Sequence, residues 1–509
     1  MSLHAPSPRV RWGLFAILAV ELVALTAFDL PGELDFSSIP FCDAGANLSL
    51  QYLISHGYRP TIDFAYLYGL LPVLLGRLWF TIAGLTPFAN QALLLLCGLG
   101  MAFAFARIAA ALRIHQIAVA VLIVTLWFSI HPDYPALAQA LEALLLALAL
   151  SEQAVQHRQF ALALITAAVF TKPSMAYVYG ALLVVIWFAR TPTESRRSRF
   201  LPEVGIPVGI TAAGCVIVLS AFYGPMALIR TVLPLEGAST YRIQHFGFFT
   251  GSGRAFWNPP HDFLMLYVFG PAGIWITATI FLACATIGVA YRFWARSKEQ
   301  DSATPIRDEI IFTCFVLHVA FVCLFFGNQW SWFYYSYFLI IGVVAAVDTG
   351  PVARRAGIAI CIIGAVSGFG VSHAVYHLWK TDEVTAVTAG MYSQPPEATE
   401  WSHVLDMTRG HRTTILDTKG AAELMFPGFQ PPVSLYLDPG LMLQSEIDRK
   451  VRQLQDSDMV VVPLGPVTCG GIPRAPEIYD AMCSFDLIFR GSYFDVYRHR
   501  KIAAVSLSS

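Results

Sequence analysis

Two aspartates, Asp43 and Asp63, lie in one loop near the start of a chain that has few charged residues. A carboxylate can act as general base for a hydroxyl nucleophile, and a second one can position a substrate or bind a metal ion. Each aspartate also has a structural interpretation. Asp43 would be the N-cap of an amphipathic helix that ends at Gly57 and lies on the outer membrane interface. Asp63 would pair with Arg59 and anchor the loop. Both are therefore catalytic candidates with a structural alternative.

The second set of candidates consists of residues that could bind a substrate. Tyr66 and Tyr68 follow Asp63 in an aromatic stretch, and Lys172 stands beside Pro173 at the end of an apolar run. An ionisable residue within a membrane segment indicates function by default, although a lysine at a helix end can also extend to the interface. Glu142 lies within another apolar run, and its sequence context assigns it no role.

Three further segments carry residues with binding chemistry. Arginine suits bidentate phosphate binding, and aromatic rings suit sugar faces or an interfacial belt. A His/Asp pair beside a proline turn could move a proton, bind a metal ion, or be structural. No spacing typical of a metal site is present. The sequence leaves open whether a divalent cation binds, and it indicates no other cofactor. These substrate-binding candidates are His131, Asp133, Arg242, His245, Arg254 and Gln329.

The composition identifies the elements that must position these residues. The 509 residues are 56 % hydrophobic and 13 % charged, with a net charge of −1. A soluble protein has about 25 % charged residues, and apolar runs long enough to cross a hydrocarbon core of about 30 Å recur along the chain. The fold class is therefore a mainly α, polytopic bundle of about eleven spans. The charge balance gives no basic field for nucleic acid.

The positive-inside rule orients this bundle. All the basic clusters fall on the cytoplasmic side if the apolar stretch 66–84 lies in the interface or re-enters, with the N-terminus inside and the C-terminus outside. This divides the chain into a membrane domain, residues 1–380, and an external domain, residues 381–509. The membrane domain then has a first external loop, residues 30–86, and a middle external loop, residues 224–262. The predicted spans are about 11–29, 87–110, 117–130, 135–152, 160–172, 175–189, 203–223, 263–291, 308–326, 331–348 and 355–377.

The external domain alternates between strand and helix patterns, which indicates a small α/β fold. The predicted strands are Thr413–Asp417, Val433–Asp438, Asp458–Leu464 and a terminal hairpin over Phe485–Arg498 that turns near Gly491. The predicted helices are Ala421–Met425, Leu441–Gln455 and Pro476–Met482.

The first external loop resembles a known family. After the first span come an Asp-x-Gly on a short helix and then Gly-Tyr-x-Pro-x-x-Asp-Phe-x-Tyr-x-Tyr-Gly-x-Leu-Pro. This order is similar to that of integral-membrane glycosyltransferases of the GT-C fold, nearest to bacterial relatives of protein O-mannosyltransferases and lipid A aminoarabinose transferases. The match covers about residues 35–80, with a weaker one at 170–174. The sequence departs in having Asp43-Ala-Gly where many relatives carry Asp-Glu, and Gly69-Leu-Leu-Pro where Gly-Pro-Leu is common.

The resemblance implies a hexosyl- or pentosyltransferase of the bacterial inner membrane, with its C-terminal domain in the periplasm. It would move a sugar from a polyprenyl-phosphate donor to a glycan, lipid or protein of the cell envelope, with Asp43 as the base or as the group that orients the acceptor. The lipid phosphate is a good leaving group that needs cations, and charge at the sugar develops as in glycoside hydrolysis. The alternatives are a lipid-linked glycan transporter or flippase, an O-antigen polymerase or ligase, and a scaffold subunit.

Overall fold

The computed structural model describes residues 8–36, 39–114, 137–233, 273–297, 306–325, 332–366, 384–388, 391–417, 421–426, 428–435, 442–464 and 475–500. Helices dominate the first three quarters of the chain. They are α1 (Pro8–Glu33), α2 (Ile39–Ser55), α3 (Leu70–Ala83), α4 (Pro87–Leu112), α5 (Leu137–Ala154), α6 (Arg158–Val169), α7 (Pro173–Arg190), α8 (Thr193–Phe200), α9 (Ile206–Tyr223), α10 (Pro225–Val232), α11 (Gly273–Ser297), α12 (Ile306–Phe325), α13 (Trp332–Ala346) and α14 (Pro351–Val366).

The apolar runs form a helix bundle, as predicted. Within the described residues, four helical stretches are long and apolar enough to cross a membrane: α4, α5, α7 and the continuous stretch Thr193–Tyr223, in which a π-turn at Leu201–Gly205 joins α8 to α9. Each predicted span in the described part of the chain overlaps a helix, whereas the span at 117–130 lies outside it. The mainly helical fold class is confirmed, while the span count and the orientation stay predictions.

Basic residues at the ends of helices make ion pairs that join neighbouring helices. Glu309 of α12 is buried and accepts hydrogen bonds from Arg158 Nη2 at 3.1 Å and from Gln153 Nε2 at 2.8 Å. Arg190 Nη2 lies 2.6 Å from the same carboxylate. A buried carboxylate needs such partners because an isolated buried charge is strongly unfavourable. Two basic residues that predict the cytoplasmic side therefore also link α6 and α7 to α12, and Gln153 links α5 to the same carboxylate.

The stretch 66–84 was predicted not to span the membrane, and its helix is short. Helix α3 has 14 residues, which extend about 21 Å at the usual rise per residue, less than a hydrocarbon core of about 30 Å. The length agrees with an interfacial or re-entrant position, which stays a prediction.

Helix α2 corrects one expectation and confirms another. It begins at Ile39, so Asp43 lies inside the helix and not at its N-cap. Its C-terminal glycine is confirmed: Gly57 has a φ of 86°, and the N–H of Tyr58 returns to the Leu53 carbonyl at 3.1 Å. Most of the described side chains on both faces of α2 are buried, and its position on the outer membrane interface stays a prediction.

The C-terminal domain, called here the tail domain, is the predicted small α/β fold. Its strands β3 (Thr413–Ile415), β4 (Met459–Pro463), β5 (Phe485–Arg490) and β6 (Phe494–His499) form one sheet in the order β3-β4-β6-β5, in which only β3 and β4 run parallel. Its helices are α15 (Pro395–Thr408), α16 (Ala421–Met425), α17 (Gln444–Gln455) and α18 (Pro476–Met482). Residues 433–435, the described part of the predicted second strand, are not in a strand.

A hairpin that the sequence analysis missed joins the tail domain to the first external loop. It consists of β1 (Thr385–Thr388) and β2 (Met391–Ser393). Tyr392 accepts a hydrogen bond from the Phe36 N–H at 2.8 Å and donates one to the Leu34 carbonyl at 2.9 Å. Phe36 then packs edge-on against the buried Trp401, with ring centroids 5.0 Å apart. The tail domain therefore packs on the first external loop through both backbone and core contacts.

Candidate functional site

A small cavity lies where the first external loop, the start of α5 and the tail domain meet. Its volume of about 20 Å³ is room for one water molecule. The lining combines amide and phenol groups with apolar side chains. The lining residues are Ala46, Asn47 and Leu50 of α2, Tyr66, Tyr68, Pro72, Leu137, Ala138, Gln139 and Leu435.

Residues 56–69, called here the site loop, carry two of the predicted binding residues to this cavity. The loop turns at Thr61, whose N–H donates to the Phe64 carbonyl at 2.8 Å. It then runs without helical turns to Gly69. Because Tyr66 and Tyr68 are two residues apart in this stretch, they fall on the same side, and both line the cavity.

Gly69 fixes the end of the site loop against the segment that carries Lys172. Its N–H donates to the Thr171 carbonyl at 2.8 Å, and the N–H of Leu71 donates to the Phe170 carbonyl at 2.9 Å. A Cβ atom at position 69 would stand 2.0 Å from the Phe170 carbonyl oxygen. Only glycine allows this approach, which brings the two sequence motifs that carry the family resemblance side by side.

Lys172 is buried next to the site loop. It is the N-cap of α7 and only 4 % exposed. Its Nζ lies 3.4 Å from the Tyr335 hydroxyl and 6.0 Å from the centroid of the Tyr68 ring. The Tyr335 hydroxyl in turn donates to the Glu142 carboxylate, so the lysine and the glutamate share a phenol between them. The attraction of a nearby carboxylate offsets the free-energy cost of burying the lysine ammonium group.

One buried oxygen of α5, Gln139 Oε1, has no hydrogen-bond partner among the described residues, and the Gln139 side chain is less than 10 % exposed. Gln139 uses its Nε2 to donate to the Tyr68 hydroxyl at 3.1 Å. Because buried polar atoms are normally satisfied, Gln139 Oε1, on a side chain that lines the cavity, is suited to accept a hydrogen bond from a hydroxylated ligand.

Asp63 makes the structural contact that was its alternative interpretation. One carboxylate oxygen accepts hydrogen bonds from the Arg59 N–H at 2.8 Å and from Arg59 Nε at 3.1 Å. Partial burial raises the pKa of the Asp63 carboxyl. These hydrogen bonds and the charges of Arg59 and Arg449 have the larger combined effect, so the pKa lies below its usual value. Asp63 does not line the cavity, and its catalytic role stays a prediction.

Asp43 lies in α2 one helical turn before Asn47. Residues four apart in a helix share a face, and Asn47 lines the cavity. The Asp43 side chain lies outside the described part of the chain. So do the remaining predicted residues, His131, Asp133, Arg242, His245, Arg254 and Gln329.

The structure adds Gln139 and Tyr335, which the sequence analysis did not single out. Gln139 stands three residues before Glu142, and a second polar residue at that helical spacing marks a polar face on an apolar helix. Tyr335 gave no such signal, because it is one aromatic residue in an aromatic run. No cluster of three potential metal ligands occurs among the residues that the structure describes.

Comparison with known proteins bears on the fold. No protein-family model matches the chain, and no curated protein matches it by sequence. Its structure is similar to that of ArnT from Cupriavidus metallidurans, solved with bound undecaprenyl phosphate. The TM-score is 0.50 at 13 % sequence identity, and the alignment covers 94 % of this chain and 97 % of ArnT. The chain has the GT-C fold. At this identity the likeness concerns the fold alone, and it confirms the fold that the first-loop motif implies.

Proposed function

We propose that the protein is a membrane glycosyltransferase that moves a sugar from a polyprenyl-phosphate donor to a cell-envelope acceptor at the outer face of the bacterial inner membrane. The observation that carries the proposal is the likeness, over nearly the whole length of both chains, to an ArnT structure that contains undecaprenyl phosphate. The polar contacts around the cavity support it independently of that likeness.

Lys172 would bind the donor phosphate. It is a buried cation beside the cavity wall, with the Tyr68 ring on one side and Tyr335 on the other. A lipid phosphate leaves as an anion, and a nearby ammonium stabilises the charge that develops on it. The arginines of the middle external loop, Arg242 and Arg254, are the further cations proposed for this task.

Tyr66, Tyr68 and Gln139 would contact the sugar, since aromatic rings and amides are the groups that line this cavity; the lining side chains would move apart to admit a group larger than water. Asp43 would be the general base. Its carboxylate takes the proton of the acceptor hydroxyl as the oxygen bonds to the anomeric carbon. The bond from that carbon to the lipid phosphate oxygen breaks, and polyprenyl phosphate is released with the electron pair. Asp63, in turn, would hold the site loop in place.

The test is a transfer assay with the purified full-length protein in lipid nanodiscs. A polyprenyl-phosphate sugar and an extract of envelope acceptors should yield free polyprenyl phosphate and a glycosylated acceptor in equal amounts. Lys172→Met should weaken donor binding, whereas Asp406→Asn, an exposed carboxylate of α15, should behave like the wild type. If vesicles containing the protein carried the intact donor across the bilayer without transfer, the chain would be a flippase and the proposal would fail.

A further inference from the structure

The tail domain contacts the backbone of the site loop through the buried carboxylate of Glu446. This residue of α17 is fully buried. Its Oε2 accepts a hydrogen bond from the Ala65 N–H at 2.8 Å and another from the Leu443 N–H, at the start of its own helix, also at 2.8 Å. One carboxylate oxygen therefore joins the beginning of a tail helix to the residue that directly precedes Tyr66.

Arg449, on the next turn of α17, makes a second set of contacts with the site loop. Its Nη2 donates to the Asp63 carbonyl at 2.6 Å, and its guanidinium lies 5.0 Å from the centroid of the Tyr58 ring. The same nitrogen also donates to the Val433 carbonyl within the tail domain, at 3.3 Å. An arginine stacked on an aromatic ring and bonded to a carbonyl holds both partners in a defined geometry.

These contacts act on the part of the loop that carries the binding residues. Ala65 directly precedes Tyr66, and Asp63 lies two residues before Ala65, so the tail domain binds the backbone of the segment whose Tyr66 and Tyr68 side chains line the cavity. Tyr66 is buried and packs edge-on against Tyr68 at 5.9 Å. A displacement of the Ala65 backbone would therefore move both phenols relative to Lys172 and Gln139.

We infer that α17 of the tail domain is a positioning element of the site, in which Glu446 and Arg449 hold the site loop so that Tyr66 and Tyr68 face the cavity. The inference rests on the proposed function only where it calls that cavity the donor site. Glu446 and Arg449 are positioning residues, because their described contacts are with backbone groups and Tyr58. Without the contacts of these two side chains, the site loop samples other conformations, and Tyr66 and Tyr68 are no longer held in position when the donor binds.

The experiment compares hydrogen exchange in a peptide spanning residues 58–69 with exchange in strand β4 of the tail sheet, using the full chain in nanodiscs. Glu446→Ala and Arg449→Ala should speed exchange in the loop about tenfold, the effect of losing one buried hydrogen bond, and leave β4 protected. Glu446→Gln keeps a carbonyl acceptor for the Ala65 N–H and should restore most of the protection. Asp448→Asn, an exposed change on the same helix, should match the wild type.

Donor kinetics separate positioning from general damage. The two alanine variants should raise KM for the donor about tenfold, with a smaller change in kcat, because the loop must be reordered when the donor binds. If Glu446→Ala speeds exchange in β4 as well, Arg449→Ala carries the test, since Arg449 contacts the site loop at Asp63 and Tyr58 and hydrogen-bonds the tail domain only at the Val433 carbonyl among the described residues. Wild-type exchange in 58–69 for both Arg449→Ala and Glu446→Ala would overturn the inference. Faster loop exchange in a protein with no transferase activity would retain the positioning role and remove the proposed function.

Discussion

Replacing Gly69 by alanine should separate the site loop from the Lys172 segment. The new Cβ would stand 2.0 Å from the Phe170 carbonyl oxygen, 2.3 Å from the Phe170 carbonyl carbon and 2.8 Å from the Thr171 nitrogen. All three are backbone atoms, so no side chain can rotate away to make room. The backbone of 69–71 or of 170–171 must therefore move by more than 1 Å, because ordinary van der Waals contact begins at 3.4 Å.

The size of the effect follows from what this movement breaks. The two hydrogen bonds from Gly69 and Leu71 to the 170–171 carbonyls are 2.8 and 2.9 Å long. Leaving their donors unsatisfied in a buried place costs about 1–3 kcal/mol each. A displacement of about 1 Å in a group that positions a substrate lowers the rate about a hundredfold. We therefore expect kcat/KM for donor turnover to fall about a hundredfold.

The assay is release of polyprenyl phosphate at several donor concentrations, with thermal unfolding measured on the same samples. Gly209→Ala is the matched control. It lies within helix α9, and nothing is within 4 Å of the Cβ that the change adds, so it should keep full activity. Retention of activity within about threefold of wild type by Gly69→Ala, against the hundredfold loss expected from displacement, would refute the argument that this close approach holds the site together.

Three further predictions concern buried charges. Glu142→Gln should lower the donor affinity less than Lys172→Met does, because the glutamine keeps an acceptor for the Tyr335 hydroxyl. Isothermal titration calorimetry with polyprenyl phosphate would measure the difference. In the tail domain, Lys450 Nζ lies 2.8 Å from Glu423 Oε1, and both side chains are buried. Lys450→Met alone leaves the buried carboxylate unpaired and should lower the free energy of unfolding by about 3–5 kcal/mol. The double variant with Glu423→Leu should lower it by much less, and thermal unfolding would measure both. Burial raises the pKa of the Glu446 carboxyl from 4.5 to about 7, against hydrogen bonds from Leu443 and Ala65 that lower it. The folded chain then keeps a proton that the unfolded chain releases, so this contribution to stability is full below pH 4.5 and is lost as the pH rises through 7. Glu446→Gln should flatten the dependence of the unfolding temperature on pH in that interval.

The helical fold was predictable because membrane spans are recognisable in a sequence as long apolar runs. The start of α2 was not, because Asp43 is a favoured N-cap residue, whereas the helix begins at Ile39, with Pro40 in its first turn, where proline is tolerated. The burial of α2 on both sides could not be read either. It depends on packing of the tail domain, and hydrophobic clusters such as that of Leu48 with Trp401 join residues far apart in the chain.

The site was predictable in part. The motif in the first loop and the weaker one at 170–174 pointed to Tyr66, Tyr68 and Lys172, and the structure places these three side chains together. The contacts that complete the cluster, from Tyr335 and Gln139, come from other helices, and no local pattern encodes such pairings. The same holds for Glu446, whose acceptor role is visible only once α17 lies against Ala65.

The central claim is that an aspartate of the first external loop drives sugar transfer from a lipid phosphate. It is tested most directly by single-turnover release of polyprenyl phosphate from a bound donor, comparing wild type with Asp43→Asn at equal donor occupancy. The account predicts that the variant binds the donor as tightly as the wild type and loses release in the presence of acceptor by at least about a hundredfold, the lower range for a lost general base. Release at the wild-type rate by Asp43→Asn would contradict it.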